Sequence, residues 1–367
     1  MMELAYQKPL RGRRMGVVFG SFAPLHQGHL ELILRAKREN DAGCMVIVCG
    51  YDGDKGEPLM PHRDRYRYVR EFFKNDDLVA VYAINDTESG IPNYPNGWDG
   101  WMKAFAEICT KTQGLRLPLM RWYVGEEEYY SDLIERGEDA VLVKRDNPIS
   151  GTLIRKDPRK YWNKIALPFR HLFSHNILII GTASEGKTQL VQDLARYYGA
   201  PCSEEWARGY MEKHSLCDWE LKGRDFITFL MGQYEHNMER MRSPENRGVF
   251  FADSDGLTTM MYAAEYAENA KSVMTQEELA EVLKVGMVIE KECRWDKIFL
   301  LAPYHEFVDD HSRWMEHADK QERYKLLERM VEYLVQTGMW NRVTVVAGDY
   351  WSVFDEIRKY VDGVMKC

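Results

Sequence analysis

Hydrophobic positions in this chain fall into short apolar runs separated by stretches with a helical repeat. Residues 15–20 form one such run and predict a buried strand, while 30–37 carry apolar side chains at helical spacing and predict an amphipathic helix. The alternation continues with strands over 44–49 and 78–84 and a helix opening at Pro61 and running to about residue 73. Strands at 120–124 and 140–143 follow, with a helix over 129–136 between them. Strands alternating with helices in this way predict an α/β unit with a parallel sheet. The pattern fails over 85–101, where glycines, prolines and aromatics crowd together and a loop is expected.

An apolar run at 176–180 then leads directly into Gly181-Thr182-Ala183-Ser184-Glu185-Gly186-Lys187-Thr188 and a helical pattern over 189–198. Strand, glycine-rich loop and helix, in that order, are the context in which GxxxxGK[ST] acts as a phosphate loop. Helical patterns follow over 225–241, 278–294, 320–335 and 350–365, and strands over 247–252, 297–301 and 343–347. A phosphate loop follows the first strand of its own domain, so whatever precedes it is a separate unit. The expected division is a short leader at 1–14, an α/β domain at 15–170 and a P-loop α/β domain at 171–367.

Length supports two cores, since 367 residues exceed what one core usually serves. With 45% hydrophobic and 29% charged residues the composition is that of an ordinary globular protein, and a net charge of -8 offers no nucleic-acid footprint. The seven cysteines are scattered, without CxxC or zinc spacing, so reduced thiols in a cytoplasmic compartment are expected. No run is long enough for a membrane span, and the leader has neither a secretory pattern nor the length of a helix-turn-helix head. Direct DNA binding is therefore not expected.

Candidate chemistry begins where the first strand becomes the first helix, in Gly20-Ser21-Phe22-Ala23-Pro24-Leu25-His26-Gln27-Gly28-His29. Gly20 and Gly28 let the backbone approach a ligand, the open amides of the helix start favour an anion, and His26 and His29 can face one phosphate cluster. A second anion site is built by Ile149-Ser150-Gly151-Thr152-Leu153-Ile154-Arg155, where Ser150 and Thr152 either cap a helix or, with Arg155, meet phosphate. Together the two sites suit a triphosphate. In the phosphate loop, Lys187 reaches the β- and γ-phosphates, Thr188 holds magnesium and backbone amides wrap the phosphates. Other residues keep two readings. Glu205 and Arg208 form either an acceptor site or a surface ion pair, and Asp253 and Asp255 either hold magnesium and ribose hydroxyls or cap a helix. Trp98 is either a base-stacking ring or a local core plug.

The first of these motifs resembles the GxFxPxHxGH signature of the nucleotidyltransferase superfamily, and the second its ISxTxIR partner. With a kinase phosphate loop behind them, the chain from Met15 onward resembles the NadR-type family, bifunctional nicotinamide-mononucleotide adenylyltransferases and ribosylnicotinamide kinases. That resemblance implies a Rossmann-like nucleotidyltransferase domain followed by a P-loop kinase domain. The first would transfer the adenylyl group of ATP to nicotinamide mononucleotide, giving NAD and pyrophosphate. The second would phosphorylate nicotinamide riboside with ATP and Mg2+. It implies catalytic roles for His26, His29 and Arg155, with Gly20, Phe22, Gly28, Ser150 and Thr152 binding ATP and Asp52, Arg65 and Trp98 binding the mononucleotide. For the kinase it implies ATP at Gly181, Ser184, Glu185, Gly186, Lys187 and Thr188, metal at Thr188 and Asp253, catalysis by Lys187, Glu205, Asp253 and Arg313, and substrate contacts at Arg208, Asp255, Phe307 and Asp310. The chain departs from the family pattern at Ala183, where a glutamate is usual, and at Trp206, Phe307, His311 and Ser312. Expected partners are small nucleotides and, as in superfamily relatives, a further copy of the chain. The alternatives are an enzyme whose P-loop domain is inactive or regulatory, and a regulatory protein that senses NAD or ATP.

Overall fold

Strand β1 (Arg14–Gly20), buried through its centre, is the axis of the first sheet. The computed structural model describes residues 9–53, 55–113, 118–144, 149–308 and 319–366. Chain order continues through α1 (Gln27–Glu39), β2 (Cys44–Val48), α2 (His62–Phe72), β3 (Val79–Ala83), the single turn α3 (Asp86–Ser89) and α4 (Trp98–Gln113). It ends with β4 (Leu119–Val124), α5 (Glu127–Glu135), β5 (Ala140–Leu142), α6 (Gly151–Lys156) and α7 (Leu167–Arg170). The strands are parallel in the order β3-β2-β1-β4-β5. Side chains alternate between two cores, Val18, Val46 and Val81 on one face and Val17, Met45 and Ile47 on the other. Burial on both faces is why these strands read as unbroken apolar runs. Connections leave β1 in opposite directions, so a crevice opens at the carboxyl ends of β1 and β4, the place where such sheets bind ligands.

The second sheet repeats the arrangement. Its elements are β6 (His175–Gly181), α8 (Lys187–Tyr198), β7 (Cys202–Ser203), α9 (Trp206–His214), α10 (Gly223–Met241), β8 (Val249–Ala252) and α11 (Gly256–Glu268). They continue as α12 (Gln276–Glu292), β9 (Lys297–Leu301), α13 (Lys320–Gln336), β10 (Val343–Val346) and α14 (Tyr350–Lys366). Strand order is β10-β9-β6-β8-β7, again all parallel, with the loop-bearing strand β6 in the centre. Contacts divide the chain into Met1–Phe173 and Ser174–Cys367.

One stretch differs from the sequence expectation. The aromatic stretch read as a loop ends in a helix, α4, whose Trp98, Trp101, Phe105 and Cys109 share one buried face. Gly97, which argued for loop, is required because a Cβ there would lie 1.8 Å from the Pro92 carbonyl oxygen. The short edge strand β7 ends just before Glu205 and Arg208, and Trp206 opens α9. Among the described residues no helix is long and apolar enough to cross a membrane, and the six described cysteines are free.

Candidate functional site

In the first unit the turn from β1 to α1 is held from both sides. His26 caps α1, its Nδ1 accepting from the Gly28 amide at 3.2 Å, which assigns the ring proton to Nε2. The His29 ring stacks on it with centroids 3.8 Å apart, and Phe22 meets His29 edge-on at 4.9 Å. A spacing of three puts both histidines on one side of the helix start. They do not share the exposure equally. His26 and Phe22 are buried, whereas His29 lines a cavity of about 480 Å³ whose walls include Gly20, Gly50, Trp98 and Glu126. His29 faces the cavity, and His26 backs it.

The second motif packs directly on this turn. Ser150 caps α6 by accepting from the Leu153 amide at 3.2 Å, and Thr152 Oγ1 accepts from Arg155 Nη2 at 3.2 Å. Arg155 Nη1 donates to the Ala23 carbonyl, 132 residues earlier in the chain. Gly151 allows the approach, because a Cβ there would come within 2.8 Å of the Ala23 oxygen. One on Gly28 would stand 3.2 Å from the His26 ring and 3.5 Å from the Ile149 carbonyl. The two motifs therefore form one block at the crevice.

Three further sequence-derived residues take distinct places. Trp98 packs in the aromatic core, parallel to Trp101 at 5.7 Å and to Tyr129 at 6.2 Å, and also lines the cavity. Arg65, 1% exposed, is a correction to the expected substrate contact. Its guanidinium donates to the carbonyls of Met60, Ser21, Cys49, Gly50 and Tyr51, so it staples the cavity rim from behind. Asp52 accepts from the His62 amide and so caps the entry to α2, with Arg65 4.0 Å away. Sequence reading missed Asp86, which lines the cavity; one carboxylate oxygen accepts from the Gly50 amide at 2.9 Å and the other is buried without a partner. Burial pushes its pKa up, against the Gly50 amide and Arg65. Its position directly after β3 was the available signal, since parallel strands deliver ligand-facing residues at their carboxyl ends.

In the second unit the phosphate loop lies between two cavities. Gly181 is obligatory because a Cβ would meet the Leu301 carbonyl at 2.7 Å, and Gly186 takes a left-handed φ of 72° as α8 begins. Lys187 Nζ donates to the Thr182 carbonyl at 2.8 Å, folded back over the loop. Thr188 Oγ1 donates to Asp253 Oδ2, and Asp253 Oδ1 is buried without a partner. Burial is the main cause that pushes the Asp253 pKa up to about 7, Lys187 pulling it down and Glu205 pushing further up. Lys187, Asp253, Glu205 and Arg208 all line a cavity of about 440 Å³, walled elsewhere by Phe226, Phe229, Tyr262 and Tyr266.

Glu205 and Arg208 are brought together loosely, at 4.0 Å on the first turn of α9. The start of that helix is fixed by Gln233, whose side chain accepts from the Trp206 amide at 2.8 Å and donates to the Glu204 carbonyl at 3.2 Å. Two expectations are corrected here. Asp255 is fully buried as the cap of α11, accepting from the Thr258 amide and hydroxyl at 3.0 Å, and does not line the cavity. Glu185 belongs to the loop through its backbone, but its side chain turns away to Arg323 at 2.8 Å, because a buried carboxylate needs a counter-charge. On the loop's other side a cavity of about 470 Å³ is lined by Ser184, Gly186, Gln189, Tyr304, Val308 and Gly348. Phe307 is half-buried and lines neither cavity. Asp310 and Arg313, with His311 and Ser312, lie outside the described residues.

Residues 17–157 match the Cytidylyltransferase-like family and 176–350 the AAA domain family. The chain is 28% identical over 346 residues to the trifunctional NAD biosynthesis/regulator protein NadR of Escherichia coli K12, a match covering 90% of this chain and 79% of that protein. Among solved structures it resembles a NadR protein in complex with NR, with a TM-score of 0.78 and 33% identity over 92% of this chain and 90% of the other. It is equally similar to a NadR protein in complex with NAD and AMP-PNP, with a TM-score of 0.78 and 32% identity over 96% and 97%.

Proposed function

The chain belongs to the NadR-type family of bifunctional nicotinamide-mononucleotide adenylyltransferases and ribosylnicotinamide kinases, and from that premise we propose that it makes NAD in two ATP-dependent steps, one in each unit. The observation that carries the reading is the repeated design: each parallel sheet opens at its switch point onto a cavity, one faced by His29 and the other by Lys187.

In the first step a phosphate oxygen of nicotinamide mononucleotide forms a bond to the α-phosphorus of ATP, and the bond to the β-phosphate bridging oxygen breaks. Pyrophosphate leaves and NAD remains. The chain's work is to hold the reactants in line and to neutralise charge on the phosphoryl oxygens. His29, at the open end of α1, meets that charge; His26 keeps its ring in place through the stack. Arg155, Ser150 and Thr152 receive the β- and γ-phosphates from the adjoining block, with Gly20, Phe22 and Gly28 shaping the turn. Trp98 stacks on the nicotinamide ring, while Asp52 and Arg65 act through the rim they hold.

In the second step the riboside hydroxyl attacks the γ-phosphorus of another ATP and ADP leaves. Glu205 takes the hydroxyl proton, Arg208 steadies the acceptor, and Lys187 exchanges its loop carbonyl for the β- and γ-phosphates. Thr188 and the unpartnered Asp253 oxygen form an all-oxygen pair that suits magnesium, which when bound neutralises phosphate charge. The cavity bounded by Ser184, Gln189 and Gly348 takes the adenine side of this ATP. Phe307, Asp310 and Arg313 belong to the same reading on the strength of the family pattern, as do a cytoplasmic setting and a homo-oligomer.

The test is incubation with nicotinamide riboside, ATP and magnesium, followed by separation of the mononucleotide and NAD. Both products appearing in turn supports the reading. NAD formed from added mononucleotide while the riboside stays untouched would leave only the adenylyltransferase standing.

A further inference from the structure

Two side chains of the phosphate loop are turned away from the phosphate site and onto the segment that follows β9. Ser184, at a left-handed φ of 67° unusual for a residue with a Cβ, accepts from the Val308 amide through its hydroxyl at 3.0 Å. Glu185 divides its carboxylate. One oxygen accepts from the Tyr304 and His305 amides at 3.0 and 3.3 Å, and the other takes Arg323 Nη1 at 2.8 Å. Arg323, from the first turn of α13, completes the ring by donating Nη2 to the His305 carbonyl at 3.0 Å. Both charged side chains are almost wholly buried, 2% and 3% exposed.

The motif does not ask for this. Positions between the first glycine and Gly186 accept any residue, and a carboxylate pointing at a phosphate site would repel its ligand. A buried ion pair is also a poor source of net stability, because desolvating both charges offsets their attraction; what it gives is one fixed geometry. Here that geometry joins three parts of the chain: the loop whose amides face phosphate, the Tyr304–Val308 wall of the 470 Å³ cavity, and α13.

We propose that Glu185 and Arg323 are positioning residues for the second unit's ATP: their clasp holds the loop amides in the phosphate-receiving arrangement and sets the wall of the adenine cavity at a fixed distance from them. This rests on the kinase reading of that unit. The clasp acts on the nucleotide and leaves the acceptor cavity, on the other side of the loop, unaffected.

Removing one partner strands a buried charge, so the informative variant replaces both, Glu185→Gln with Arg323→Met, in the full-length protein. Calorimetry with AMP-PNP reports the site that Lys187→Ala abolishes, and steady-state kinetics reports riboside phosphorylation. The double variant is expected to melt within a few degrees of wild type. At that site it should bind AMP-PNP about tenfold more weakly, and its KM for ATP should rise by about the same factor. Its KM for the riboside and its adenylyl transfer should be unchanged. A stable double variant with wild-type AMP-PNP affinity overturns the proposal. If the double variant does not fold, Arg323→Lys, which keeps the charge but loses the two-pronged contact, should weaken AMP-PNP about threefold, and an unchanged affinity there overturns the proposal equally. Binding is read without turnover, so a wild-type protein that leaves the riboside untouched counts against the kinase reading and leaves the clasp to be judged by affinity.

Discussion

On the proposed function each half turns on one residue, His29 or Lys187, and the two can be separated because His29 lines the cavity of the first unit and Lys187 that of the second. His29→Ala is expected to lower NAD formation from the mononucleotide about 100- to 1000-fold, the usual loss when a donor to developing phosphoryl charge is removed. It should leave riboside phosphorylation intact. Lys187→Ala should do the reverse, and paired assays on each protein check both. These residues were legible in the sequence because their chemistry is local: a histidine pair at a strand-to-helix turn and a lysine at the end of a glycine-rich loop announce themselves by spacing. Arg65, named as a substrate contact from the family resemblance, grips five carbonyls, and Asp255, read either as a ribose contact or as a helix cap, caps a helix in the core. Spacing says which residues sit near a site. It does not say which way a side chain turns once long-range packing has closed around it.

Helix α9 shows how an element carries chemistry it does not perform. Its Trp206, where the family pattern has tyrosine, lies against α10 at Gly232, and a Cβ on that glycine would come within 2.4 Å of the indole. Gly232→Ala should therefore overpack the contact, costing about 1–3 kcal/mol. It should also raise the KM for the riboside by displacing Glu205 and Arg208, with thermal melts and kinase assays as the readouts. On α12, Glu290 is buried with both carboxylate oxygens unpartnered, and burial together with the neighbouring Asp255 holds its pKa far above the ordinary range. The sign follows. Above the ordinary glutamate value of about 4.3 the unfolded chain ionises while the folded one keeps its proton, so this residue lowers stability as pH rises. Glu290→Gln should gain on wild type by roughly 1.4 kcal/mol per pH unit at most between pH 5 and 8, read by melting curves across that range. The aromatic helix α4 was hidden in the sequence by Pro95, Gly97 and Gly100, although Trp98, Trp101, Phe105 and Cys109 already kept helical spacing. Glycine there answers to a close approach of Pro92, a contact no local pattern records.

At the scale of the molecule, two parallel sheets each carry their own pair of cores and their own strand-to-helix turn lining a cavity. The alternation of apolar runs and helical repeats was enough to foresee both sheets, because strands covered on both faces leave an unmistakable apolar signature. The product of the second unit is the substrate of the first, so the two activities are linked by the mononucleotide, which accumulates when the first unit is disabled and is not made when the second is. The direct measurement follows the riboside, the mononucleotide and NAD over time in the presence of ATP and magnesium, with wild type, His29→Ala and Lys187→Ala side by side. Wild type should carry the riboside through to NAD, His29→Ala should accumulate the mononucleotide, and Lys187→Ala should make NAD only when the mononucleotide is supplied. NAD appearing from the riboside in the Lys187→Ala protein, or none forming from the mononucleotide in wild type, would contradict the account.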